Sequence, residues 1–185
     1  MKLGCCTNLL ATDIERVGIE AAQNIFPLGF DYIELPLAQI MELSDDKFDD
    51  LKIMLRSKGI KIKACNNFIP ANIKLTGEEV NYNEGMDYVE RALSRAEELG
   101  AKVVVFGSAG ARNVAEGFPY NKALEQIFNF LEDISEIAKR HDITIAIEHL
   151  TKKESNIINS VEEALKIVMD LEKENIKLLV DYFHI

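Results

Sequence analysis

Met1-Lys2-Leu3-Gly4-Cys5-Cys6-Thr7-Asn8 opens the chain with a short β-type run, Lys2–Cys5, and a turn that carries no Gly-x-Gly-x-x-Gly. Five further runs of the same kind follow: Tyr32–Leu35, Ile60–Cys65, Lys102–Phe106, Ile143–Glu148 and Lys177–Asp181. Several are nearly continuous in Val, Ile and Leu, the pattern of parallel strands covered on both faces. Amphipathic stretches with readable helix ends separate them. Thr12-Asp13-Ile14-Glu15 and Ser160-Val161-Glu162-Glu163 fit the capping box, in which hydroxyl and Glu satisfy free N–H groups reciprocally. Ser44 is placed to cap a helix whose inner stripe is Phe48, Leu51, Met54 and Leu55. Leu124, Ile127, Phe128, Leu131, Ile134 and Ala138, spaced by three and four, form one apolar helical face. Gly59 and Gly100 sit where a left-handed residue ends a helix before the next strand.

Six consecutive βα-type units define an α/β class with right-handed crossovers. Two architectures compete. A six-stranded doubly wound parallel sheet would be complete, but its dinucleotide-binding version lacks the phosphate turn after the first strand. An (β/α)₈ barrel needs two more units. Strand starts recur about every 35 residues, so eight units would need roughly 250–280 residues, the usual size of that barrel. The 185 residues therefore read as one domain, 1–185, forming an incomplete barrel that lacks strands seven and eight.

Composition bounds the function. The chain is 48% hydrophobic and 28% charged with no Trp, the make-up of a globular protein. No apolar run reaches the length that spans a bilayer, and the N-terminus reads as a strand rather than a secretory signal. Twenty-one basic against 31 acidic residues leave a net charge of −10. Such a chain repels a phosphate backbone, and its nearest basic cluster, Lys58, Lys61 and Lys63, is broken by apolar residues. Neither nucleic acid nor membrane is expected as a partner. Cys5, Cys6 and Cys65 are an odd number without Cys-x-x-Cys spacing, so a reduced, cytoplasmic protein is expected.

In parallel α/β folds, reactive side chains gather at the C-terminal ends of strands. Ile145-Ala146-Ile147-Glu148 and Leu178-Leu179-Val180-Asp181 each end an apolar strand in a carboxylate, which is costly unless paired or metal-bound. Two such groups on neighbouring strands resemble half of an oxygen-rich site for Mg²⁺ or Mn²⁺; the plainer reading is that each caps a loop. His184 follows Asp181 by three residues and reaches the same mouth, or is a hydrogen-bonded loop residue. His149 points to the other strand face and is expected to pack, and His141 suits the negative end of a helix. Gly107-Ser108-Ala109-Gly110-Ala111-Arg112 follows the fourth strand. Its glycines permit close approach to a ligand and Arg112 can hold an anion, although a tight turn with a surface arginine fits equally. The cysteine pair has no evident base, so a thiol nucleophile is not expected.

These residues carry a resemblance. The whole chain, and most specifically Val103–Arg112, Ile145–Leu150 with Glu154–Ser160, and Asp181–His184, resembles the sugar phosphate isomerase/epimerase family. That family of xylose-isomerase-like TIM barrels also contains apurinic endonucleases and keto-sugar 3-epimerases. The resemblance implies a divalent metal (Mn²⁺, Mg²⁺ or Co²⁺) held by Glu148 and Asp181. It implies that Glu148 is also the catalytic base, removing a proton next to a carbonyl to form an enediolate. It places Glu154 and His184 on substrate oxygens and, more loosely, Glu34 and Arg112 in the same role. His149 and Thr151 depart from the family's usual residues after Glu148. The family's third and fourth ligands, a His and a Glu, come from strands seven and eight, so a weakly held ion is expected here.

The expected function is proton transfer on a small keto-sugar, sugar phosphate or related polyol, with isomerase or epimerase chemistry. A non-catalytic remnant of the fold, serving assembly or weak sugar binding, is the alternative. A metal-dependent apurinic endonuclease would want a basic groove and more histidines than the three present. Unpaired first and sixth strands predict a homo-oligomer that covers the open side.

Overall fold

A computed structural model describes residues 1–12 and 14–185. Its elements run β1 (Gly4–Cys6), α1 (Ile19–Ile25), β2 (Tyr32–Pro36), α2 (Leu37–Glu42), α3 (Asp45–Ser57), β3 (Ile62–Asn66), α4 (Tyr82–Leu99), β4 (Val103–Phe106), α5 (Ala109–Arg112), α6 (Tyr120–Arg140), β5 (Thr144–Glu148), α7 (Val161–Leu171) and β6 (Ile176–Leu179). Short 3₁₀ turns cover Phe26–Leu28 and Tyr182–His184.

All strands pair in parallel, in the order β1-β2-β3-β4-β5-β6. A doubly wound sheet reverses its strand order at a switch point; this sheet never does. Successive helices pack against each other, α2 on α4, α4 on α6 and α6 on α7, forming one outer layer. The architecture is a partial (β/α) barrel, open between β1 and β6.

Register explains which side chains face the helices and which face the hollow. Leu35, Cys65, Val104, Ile145 and Ile176 form one continuous cross-strand row, and all five are buried in the main apolar core. Strand side chains alternate between faces. The neighbouring row Cys6, Glu34, Ala64, Val103 and Thr144 therefore lines the concave side, and Glu148 at the tip of β5 has the same parity. The outer layer supplies the rest of the core: Phe48, Leu51 and Leu55 of α3, and Ile127, Leu131, Ile134 and Ala138 of α6, are buried as their spacing predicts.

Two helix starts test the capping expectations. At α7, Ser160 Oγ accepts from Glu163 N at 3.2 Å, while the Glu163 carboxylate accepts from Asn159 N at 2.6 Å. At α1 the expected box does not form. Asp13 lies outside the described residues; Thr12 gives its N–H to Glu20 Oε1 at 2.6 Å, and the Glu15 carboxylate binds Lys47 at 2.6 Å. The helix starts at Ile19 behind Gly18, whose φ of 75° suits glycine. A Cβ on Gly18 would also lie 2.5 Å from the Thr7 carbonyl oxygen. The sequence reading assigns no helix to α2, a single turn growing directly from β2 that buries Leu37, Ala38 and Ile40.

Candidate active site

The C-terminal ends of the strands open onto a cavity of about 590 Å³. Glu148, Glu154, Asp181, His184 and Glu34 all line it, together with Cys6 and Asn66. Glu148 is the last residue of β5. Asp181 follows β6 and starts the final 3₁₀ turn, its Oδ1 accepting from Phe183 N at 2.8 Å. That turn folds His184 back over the strand ends, leaving its side chain 8% exposed. His184 Nε2 then stands 3.8 Å from Glu148 Oε1 and 3.9 Å from Asp181 Oδ2. Its Nδ1 lies 3.1 Å from Glu154 Oε2, an oxygen also held by the Thr151 hydroxyl at 2.8 Å.

The Glu154 loop is rigid for identifiable reasons. Asn159 donates to the carbonyls of Leu150 and Ser155 at 2.8 and 2.7 Å. Asn156 exchanges two hydrogen bonds with the backbone of Val114, at 2.8 and 2.9 Å. The loops after β4 and β5 are thus latched together.

Arg112 is not brought to this cavity. It is fully buried behind the site, donating to the carbonyls of Phe106 (3.1 Å), Glu148 (2.9 Å) and Ile158 (3.4 Å). Burial lowers its guanidinium to about 10, with Glu148 opposing the shift, so it remains a cation at neutral pH. In place of the expected anion contact, Arg112 ties the end of β4 to the end of β5. The glycines beside it make room for protein rather than ligand: a Cβ on Gly107 would collide with Glu148 Oε2, and one on Gly110 would meet Ala71.

The carboxylates feel their confinement. Burial raises Glu148 to about 7; Asp181 and Glu34 push it further up, while His184 and Arg112 pull it down. Glu34 is also raised, by burial first, against the opposing hydrogen bonds of Asn66 and Cys6. The Cys6 thiol is pushed up to about 12 by burial and by Glu34. One ligand atom each from Glu148, Asp181 and His184 lies within 4.8 Å of the others. Two hard oxygens and an imidazole, with the carboxylates crowded in a site of reduced polarity, suit a divalent cation.

Three residues beside the site, Cys6, Asn66 and Thr151, carry no assigned role in the sequence. Cys6 and Asn66 stand among the strand-end positions where reactive side chains are expected, with the same inward parity as Glu34. Thr151 gives no such signal, because its contact with Glu154 depends on the loop's fold. His149 is buried as expected, 1% exposed, and its ring meets that of His184 edge to face at 6.0 Å. His141 closes α6 and contacts Glu97 at 2.7 Å.

An open α/β barrel with acidic and imidazole groups at its C-terminal rim defines a recognisable class. The chain belongs to the xylose isomerase-like TIM barrel family, whose model matches residues 22–185. It is similar to D-psicose 3-epimerase of Agrobacterium fabrum, 26% identical over 170 residues, covering 88% of this chain and 57% of that protein. It is also similar to inosose isomerase of Halalkalibacterium halodurans, 28% identical over 158 residues, covering 84% of this chain and 54% of the relative. The chain thus spans little more than half the length of these relatives. A crystal structure of D-psicose 3-epimerase in the presence of D-fructose superimposes with a TM-score of 0.83 at 21% identity, over all of this chain and 64% of the other. The 3-keto-D-glucoside 4-epimerase of E. coli gives 0.79 at 17%, over 69% of its length. Those two likenesses establish the fold. Among the described residues, no helix is long and apolar enough to cross a membrane.

Proposed function

We propose that this chain carries the metal and base half of a sugar isomerase or epimerase site, moving a proton at the carbon beside a carbonyl of a keto-polyol. One observation carries this reading: Glu148, Asp181 and His184 converge within 4.8 Å on a sugar-sized cavity at the strand ends. Glu148 and Asp181 would hold a divalent cation, with His184 beside them. When bound, such an ion supplies positive charge that lowers the cost of negative charge developing on a neighbouring carbonyl oxygen.

Glu148 is the base. Its carboxylate stands at the tip of a strand whose last backbone carbonyl accepts from Arg112, and Gly107 gives the side chain room. Glu154, whose carboxylate accepts from the Thr151 hydroxyl, and His184 beside it offer an acceptor and a donor for substrate hydroxyls. The Asn66 amide and Glu34 contact the substrate's other end. Four carboxylates, Glu34, Glu148, Glu154 and Asp181, line this one cavity. Their charge favours a neutral sugar over a sugar phosphate, and the names D-psicose 3-epimerase and inosose isomerase point the same way.

Calorimetric titration with Mn²⁺ tests the reading. Micromolar affinity, lost at least tenfold in both Glu148→Ala and Asp181→Ala, is the expected result. Absence of Mn²⁺ binding to the folded native chain overturns it and leaves the second reading, assembly or weak sugar binding without catalysis. The open strands at β1 and β6 favour that alternative.

A further inference from the structure

The last turn of the chain reaches the strand ends through His184. Its neighbours Tyr182, Phe183 and Ile185 are exposed, whereas the His184 side chain is almost fully covered. The backbone hydrogen bonds of the turn are its own, from His184 N to the Asp181 carbonyl at 3.1 Å and from Ile185 N to the Tyr182 carbonyl at 3.3 Å. They give the turn its shape but not its place. Glu148, Glu154 and Asp181 draw the imidazole inward, yet charge sets distance better than orientation. Even the nearest approach, Nδ1 to Glu154 Oε2 at 3.1 Å, lacks the alignment of a hydrogen bond.

His149 supplies an orienting surface. Its backbone is pinned on both sides: the Glu148 carbonyl accepts from Arg112 at 2.9 Å, and Leu150 N donates to the Ile158 carbonyl at 3.1 Å. The side chain is buried and stands outside the set of residues that line the cavity. Among the described residues, neither of its ring nitrogens has a hydrogen-bond partner. A buried imidazole without partners costs more than an aliphatic group of similar size, so filling space does not account for it. Its ring meets that of His184 at 6.0 Å and 81°, the edge-to-face geometry that aromatic pairs favour. The Phe183 ring, 5.2 Å from that of His184, belongs to the turn itself and moves with it.

We propose that His149 is a positioning residue, whose buried ring orients the His184 imidazole over the strand ends and so holds the last turn against β5. Its effect on turnover rests on the sugar chemistry proposed above; the contact itself does not. His149 touches neither substrate nor ion and acts through His184, which faces the substrate hydroxyls. An aliphatic side chain in its place fills the volume but presents no flat ring. His184 is then free to rotate, and the loss falls on substrate binding rather than on proton removal by Glu148.

NMR of the full chain without metal tests the contact. The native chain is expected to show a nuclear Overhauser effect between the ring protons of His149 and His184. The His184 amide order parameter, about 0.85 in a rigid backbone, is expected to drop below about 0.6 in His149→Leu, with no fall in melting temperature. His149→Phe, which keeps a ring, is expected to keep the turn ordered. With Mn²⁺ and D-psicose, KM of His149→Leu is expected to rise about tenfold while kcat stays within about threefold, and His149→Phe to recover the native KM. A last turn that stays ordered in His149→Leu overturns the proposal. So does a melting temperature that falls in both variants, which would make His149 a core residue and nothing more. A native chain that leaves D-psicose unchanged overturns the sugar chemistry, whereas the NMR comparison still decides the positioning.

Discussion

Glu148 concentrates the energetics of the site in one side chain. Its folded value of about 7 lies above the ordinary 4.5, chiefly because burial disfavours its charge. A raised carboxyl contributes stability that is fully present below pH 4.5 and is lost as the pH climbs through 7. The loss is on the order of 3 kcal/mol. In the presence of a chelator, the melting temperature is therefore expected to fall between pH 5 and pH 8, and Glu148→Gln is expected to abolish most of that fall. Mn²⁺ at pH 8 should restore the native chain and leave the variant unmoved. A flat melting profile for the native chain would show that Glu148 carries no such penalty. The position of Glu148 and Asp181 at the cavity rim was legible in sequence, because a carboxylate ending an apolar strand is conspicuous. Arg112 was not: whether an arginine after a strand turns outward or inward depends on which carbonyls the loops aim at it, here those of Phe106, Glu148 and Ile158.

At the level of elements, β4 and β5 behave as a pair. Gly107, immediately after β4, leaves space that the Glu148 carboxylate fills, so a methyl group there must displace it. Gly107→Ala is expected to keep the fold, with circular dichroism unchanged, and to weaken Mn²⁺ binding at least tenfold. Retention of native affinity would show that Glu148 has another usable rotamer. The strands were readable to within about two residues because buried parallel strands are continuous in Val, Ile and Leu. The start of α1 was misplaced because the Thr12–Glu15 pattern met the capping rule locally. The chain instead spends Thr12 on Glu20 and Glu15 on Lys47, contacts that no local window contains. The single turn α2 was missed because six residues are too few to show a helical period.

For the whole molecule, the sequential strand order decides the architecture and creates its weakness. Among the described residues, the outer edges of β1 and β6 have no strand beside them. Leu3 and Val180, which flank those strands, are 53% and 51% exposed. Open edges bordered by apolar side chains recruit partners. The chain is expected to elute from gel filtration above its 20.8 kDa at micromolar concentration, and Leu3→Lys with Val180→Lys should shift it toward the monomer. A monodisperse native monomer at the same concentration would contradict this. The six-unit alternation foretold the open barrel, whereas the contacts inside its rim needed coordinates. The final 3₁₀ turn has a consequence in time as well as in space. Asp181 and His184 both come after β6, so in order of synthesis all six strands precede two of the three groups proposed to face an ion. On the proposed reading the sheet would form without waiting for a cation, and loading would follow on a wall already built.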